Sequence, residues 1–144
     1  HTACRRQRQM CIRDSILDFA TLTGAVVVAL GHIATGVMGT NDELMNKVKD
    51  ASKSSGEKVW EFPLWPEFCK QIKSNIADVK NMGIPPQAGT IAGGAFLKEF
   101  VDPKIPWVHF DIAGTAWGVK PDSINPKGSA TGVGIRLVLD MFGV

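Results

Sequence analysis

The chain has 144 residues, 44% hydrophobic and 21% charged, with a net charge of +2. That length suits one domain with its own core, and the balance is that of a soluble globular protein. It excludes a membrane span, because the longest apolar run, Ala25–Leu30, falls well short of the roughly 20 residues a bilayer requires.

Residues 1–14 differ from the rest. They carry Arg5, Arg6, Arg8 and Arg13 against a single acid, Asp14, and two of the three cysteines, Cys4 and Cys11. Of the 16 basic and 14 acidic residues in the chain, residues 15–144 therefore keep 12 and 13, so the basicity sits entirely in the leader. The leader has no apolar periodicity and no helix caps, and is expected to be disordered. Its arginines precede no apolar signal core, so secretion is not indicated. The chain starts at His1 rather than Met and is expected to be incomplete at its N-terminus. Cys69 is the one cysteine of the body, which points to a reducing, cytoplasmic setting without a disulfide framework.

The body alternates strand and helix patterns. Ile16–Ala20 reads as a buried strand that breaks into the hydroxyl-rich turn Thr21-Leu22-Thr23 and resumes as a short helix over Gly24–Leu30. In open α/β sheets ligands sit beyond the carboxyl ends of strands, so this turn is a natural substrate contact. Ala34–Met38 follows as a strand. Thr40 or Asn41 can cap the next helix, with Asp42 and Glu43 suited to its first turn. That helix sets Leu44, Val48 and Ala51 on one face and stops at Gly56. Val59–Leu64 alternates at period two before Pro63 and Pro66, as an edge strand or extended loop.

Pro66–Lys73 is expected as a short helix and Ile76–Pro86 as irregular chain. Ala88–Val101 reads as a helix with Ile91, Ala92, Ala95 and Phe96 on one face, where Gly89, Gly93 and Gly94 permit close packing. Trp107–Ile112 is an apolar strand holding His109 and Asp111. Lys120–Lys127 is a proline-punctuated loop, and Thr131–Phe142 a closing helix burying Val133, Leu137 and Met141. The alternation predicts an α/β fold with a largely parallel sheet.

Chemistry is sparse when the residues are read alone. There is no Cys-x-x-Cys, no His-Glu-x-x-His and no carboxylate cluster to hold a metal. His109 and Asp111 would share one face of a strand, either as a metal pair or base with its orienter, or as strand-end groups bonding to neighbouring loops; the second reading is preferred for so short a motif. His32 at a helix end can meet free carbonyls. No Gly-x-Ser-x-Gly marks a nucleophile, and Gly132-x-Gly134 is a weak phosphate signal better explained by packing. The leader arginines could bind nucleic acid, though a solvated tail explains them as well.

The ordered segments Asp18–Ala25, Ala34–Val37, Ala77–Asn81, Ala88–Phe100 and Trp107–Gly114 resemble, in order and separation, the C-terminal end of the leucyl aminopeptidase (cytosol aminopeptidase) family. The resemblance covers residues 15–144. It implies the C-terminal portion of an incomplete α/β catalytic domain, three-layer α/β/α with a mixed, largely parallel sheet, from a hydrolase that releases N-terminal amino acids from peptides. The intact family enzymes use two divalent ions, zinc or manganese, to activate water and polarise the scissile carbonyl, and they assemble as homo-hexamers in the cytoplasm. Their ligands are a lysine, aspartates and a glutamate, and the last group of them falls, with the catalytic arginine, in an Asn-Thr-Asp-Ala-Glu-Gly-Arg motif upstream of the Ala-Thr-Leu-Thr-Gly turn. Only 19 residues precede Ala20 here, and none of them spells it.

No catalytic or metal-ligating residue of the family can thus be carried onto this sequence. The carry-over is a substrate wall. Leu22 and Gly24 would bond a peptide through their backbone. Thr21, Gly24, Ala113 and Ala116 would line the pocket for the departing residue, and Met82 the next pocket. The expectation is a fragment inactive alone, whose partner is peptide, with no nucleic acid or membrane. Residues 1–14 depart from the family and look like non-native sequence joined to a genuine gene fragment. The alternative is a non-catalytic α/β module with a basic arm binding nucleic acid. A further reading, a metal-free hydrolase on His109, Asp111 and a hydroxyl, would need no cofactor.

Overall fold

Every residue of the strand Trp107–Asp111 (β4) is buried, and the sheet is built outward from it. A computed structural model describes residues 14–120, 126–127 and 129–144. The leader, up to residue 13, and most of the Lys120–Lys127 loop lie outside the described residues.

Four strands form one sheet in the order β1-β4-β2-β3, with β1 at Ile16–Ala20, β2 at Thr35–Gly39 and β3 at Val59–Glu61. β1 runs parallel to β4, with Ala20 opposite Asp111, and β3 runs parallel to β2. β2 and β4 are antiparallel, pairing Val37 with Phe110 and Met38 with His109. The sheet is therefore mixed, with two of its three pairings parallel. β3 occupies an edge, the position that a segment running into Pro63 and Pro66 can tolerate.

Period-two alternation gives the two sheet faces different cover. On one, Val37, Val108 and Phe110 pack with Leu44, Met45, Val48 and Ala51 of the helix Asp42–Ser55 (α2) and with Leu137 of the closing helix Ile135–Met141 (α5). Each of the Val, Leu, Met and Phe side chains contributes about 1.5–3 kcal/mol when fully withdrawn from water. The opposite face carries the helices Gly24–Leu30 (α1) and Gly89–Lys98 (α4). A Cβ at Gly36 would stand 2.8 Å from Val26 Cγ2, and one at Gly94 2.5 Å from Met38 Sδ, so small residues let both helices lie close on the sheet. The short helix Pro66–Gln71 (α3) packs on the outer side of α4, around Ile72, Ala92 and Ala95. This is the three-layer α/β/α arrangement.

Local signals explain the helix ends. Asn41 Oδ1 accepts from Leu44 N at 2.8 Å and starts α2, which ends at Gly56 in the left-handed conformation. α4 is shorter than Ala88–Val101 because Ala88 is itself left-handed, with φ 47°, and because the chain after Lys98 closes into turns. α5 starts only at Ile135, since Gly132 and Gly134 have φ of 65° and 87°. As a result Val133 precedes the helix and is half-buried, while Leu137 is buried and Met141 packs against the core from its edge. Glu57, carried on the α2–β3 connection, reaches the first turn of α5 and accepts from Arg136 N at 2.9 Å, Leu137 N at 3.3 Å and Gly134 N. A carboxylate there satisfies amides that have no partner within the helix.

Candidate peptide-binding site

β1 and β4 end at the same edge of the sheet, and three segments converge beside that edge. They are the β1–α1 turn Thr21–Thr23, the loop Asn81–Gln87 and the first turns of α4. Between them lies a cavity of about 500 Å³ lined by Leu22, Gly24, Met82, Pro85, Gly93 and Phe96 among others, with no charged side chain in its wall. The close approach of these segments depends on missing side chains. A Cβ at Gly83 would lie 2.8 Å from Ala92 Cβ, and one at Gly89 2.8 Å from Ala25 Cβ. Gly24 differs from both: a Cβ there would meet nothing within 4 Å, because it points into open space.

The turn is held from below by Asp111, the last residue of β4, which is fully buried. Its Oδ2 accepts from the Thr23 hydroxyl at 2.6 Å, and its Oδ1 lies 3.2 Å from Leu22 N, 3.4 Å from Thr23 N and 3.2 Å from Ala113 N. Thr23 Oγ1 in turn accepts from Val26 N at 3.2 Å and caps α1. One side chain therefore joins the turn to the start of the β4 exit loop. That loop is fixed further along by Thr115 Oγ1, 2.8 Å from Thr35 Oγ1, and by the Gly114 carbonyl, which accepts from His32 Nδ1 at 2.7 Å. Gly114 owes its identity to this packing, since a Cβ would stand 2.2 Å from the Gly31 carbonyl oxygen.

His109 is also fully buried. Its Nδ1 donates to Asp18 Oδ1 at 2.5 Å, and Trp107 Nε1 donates to the other oxygen of the same carboxylate. His109 and Asp111 thus share a face but serve different neighbours, β1 and the β1–α1 turn. This is the loop-bonding and strand-bonding arrangement rather than an acid–base pair.

Of the residues singled out from the sequence, Leu22, Gly24 and Met82 come together around the cavity. Thr21, Ala113 and Ala116 do not line it. Thr21 is exposed at the end of β1, Ala113 is buried just past β4, and Ala116 is half-buried in the exit loop. Sequence reasoning missed Pro85 and Phe96 as cavity residues. The small residues of α4 were visible as packing positions, but nothing in the irregular Ile76–Pro86 stretch indicated that it folds back over the turn.

Among the described residues, no group of three His, Cys, Asp or Glu side chains could hold a metal ion. The donor set of the described residues therefore does not fit a two-metal centre. Among the same residues, no helix is long and apolar enough to cross a membrane.

Residues 4–139 match the model of the cytosol aminopeptidase family, catalytic domain. The chain belongs to this family. A probable cytosol aminopeptidase of Syntrophotalea carbinolica is 51% identical over 128 residues, 89% of this chain and 25% of that protein. A probable cytosol aminopeptidase of Prochlorococcus marinus is 51% identical over 126 residues, again covering 25% of its length. A solved structure of a mutant tomato leucine aminopeptidase superposes with a TM-score of 0.78 at 41% identity, covering 89% of this chain and 24% of that one. The chain thus spans about a quarter of the length of the cytosol aminopeptidases it matches.

Proposed function

We propose that this chain is the C-terminal part of the catalytic domain of a metal-dependent leucyl aminopeptidase, and that it supplies the wall against which a peptide is held. One observation carries the reading: Gly24 faces open space at the mouth of an uncharged cavity shared with Leu22 and Met82. A glycine there lets a peptide backbone approach that of the protein. An apolar lining gains free energy by burying an uncharged side chain.

In this reading the backbones of Leu22 and Gly24 hydrogen-bond the peptide. Thr21, Gly24, Ala113 and Ala116 border the residue being removed, and Met82 borders the next. The position of Thr21 and Ala113 at the adjacent ends of β1 and β4, outside the cavity that holds Met82, is compatible with two neighbouring pockets on either side of the turn. The contribution of this chain is binding and orientation. The two divalent ions, zinc or manganese, the homo-hexameric assembly and the cytoplasmic setting belong to the whole enzyme. The family match begins at residue 4; we read residues 15–144 as the aminopeptidase portion and residues 1–14 as a non-native leader that departs from the family in composition.

The chain alone should release no product from a leucine anilide in the presence of zinc or manganese, beyond a metal-only blank. Turnover above that blank would show that the chain is catalytically self-sufficient and would overturn the reading.

A further inference from the structure

We propose that Asp111 is a positioning residue for peptide binding: its carboxylate sets the spacing and register of the two backbone segments that border the site. The inference rests on the peptide-wall reading above and adds a residue to it. Asp111 makes no contact with the cavity, yet its two oxygens engage Leu22 N, Thr23 N, the Thr23 hydroxyl and Ala113 N, all of them in or beside the wall. Among the described residues it enters no ion pair. The buried charge is therefore met by these donors, and they are held in turn by it. Hydrogen bonds to a charged group are shorter and stronger than neutral ones, and a buried acceptor imposes its geometry because leaving it unpaired is costly.

The arrangement is directional. Thr23 uses its hydroxyl proton on Asp111 and its oxygen lone pair on Val26 N. The same hydroxyl therefore fixes both the turn and the first turn of α1, where Gly24 is the leading residue. Displacement of the carboxylate would move Leu22 and Gly24 away from Ala113 together, shifting the turn side of the cavity while Asp111 itself stays outside its lining. Asp111→Asn keeps the volume and one acceptor oxygen, but its amide nitrogen cannot accept the Thr23 proton. Thr23→Val removes that bond from the other side and Thr23→Ser retains it.

The test uses the full 144-residue chain and leucyl-leucinamide as probe, with amide exchange and chemical shifts followed by NMR. The wild-type chain should bind with shifts at Leu22, Gly24 and Met82. Asp111→Asn and Thr23→Val should each weaken binding about tenfold. They should also speed exchange at Leu22 and Ala113 while leaving Val108 and Phe110 protected, and Thr23→Ser should restore both readouts. If Asp111→Asn fails to fold, Thr23→Val and Thr23→Ser separate the same two outcomes. Wild-type affinity in Asp111→Asn and Thr23→Val, or exchange accelerated uniformly over the sheet, would overturn the positioning role and leave the peptide wall standing. A wild-type chain that binds no probe would overturn the peptide wall and the positioning role together.

Discussion

Gly93 of α4 lies directly against Thr23 of the β1–α1 turn, so closely that a Cβ at Gly93 would stand 2.9 Å from Thr23 Cγ2. Thr23 cannot yield easily, because its hydroxyl is engaged by Asp111 and by Val26 N. An alanine at position 93 improves helix propensity by up to about 1 kcal/mol, but it overpacks a fixed neighbour, which costs about 1–3 kcal/mol. Gly93→Ala should therefore give a net loss of stability of up to about 2 kcal/mol in urea unfolding. An unchanged or raised midpoint would show that the turn is looser than its hydrogen bonds indicate.

The capping of α5 by Glu57 gives a second expectation. Its side chain is 8% exposed and it accepts three backbone N–H groups from residues far along the chain. Glu57→Ala leaves those amides without an acceptor and should cost about 2 kcal/mol. Glu57→Gln, which keeps one acceptor oxygen, should cost about half as much. Chemical denaturation of the two variants decides the matter, and equal stability of all three chains would show that water replaces the carboxylate without loss.

Asp18 is the shared acceptor for two buried donors, His109 Nδ1 and Trp107 Nε1. Asp18→Ala strands both and should destabilise the chain by about 2–4 kcal/mol. Because the site is built on the ends of β1 and β4, the same variant should broaden the NMR signals of Thr21 and Ala113. A loss below about 0.5 kcal/mol would mean that the two donors find other partners.

Much of the fold could be read from the residues because its signals are local. The Ile16–Ala20 run, the Asn41 cap and the Gly56 stop define β1 and α2 by short-range rules that tertiary packing did not override. The ends of α4 and α5 were less legible. Positive φ at Ala88, Gly132 and Gly134 depends on how the loops cross, and each shortened a helix whose apolar pattern runs on. The direction of β2 against β4 was likewise hidden, since alternation along a strand does not specify which neighbour it pairs with or in what sense.

The site was legible only in part, for the same reason. The turn that holds Leu22 and Gly24 reads directly as a ligand-contact position beyond a strand end, whereas the individual roles of Leu22, Gly24 and Met82 came from family resemblance. Phe96 and Pro85 reach the cavity because a loop without periodicity folds back onto α4, a long-range outcome that no short pattern encodes. The role of Asp111 lay between these cases. Strand alternation put it on the face of His109, but only the structure showed that its partners are the turn and the exit loop.

The most direct test of the peptide wall is the binding of leucyl-leucinamide to the wild-type chain and to Gly24→Val, with folding monitored in parallel. A Cβ at Gly24 meets no protein atom within 4 Å, so the substitution should change stability by less than about 1 kcal/mol. The wild-type chain should bind with amide shifts at Leu22, Gly24 and Met82, and Gly24→Val should lose at least about tenfold in affinity, near 1.4 kcal/mol. Equal affinity in the two folded chains would contradict the assignment of this turn as the surface that holds the peptide.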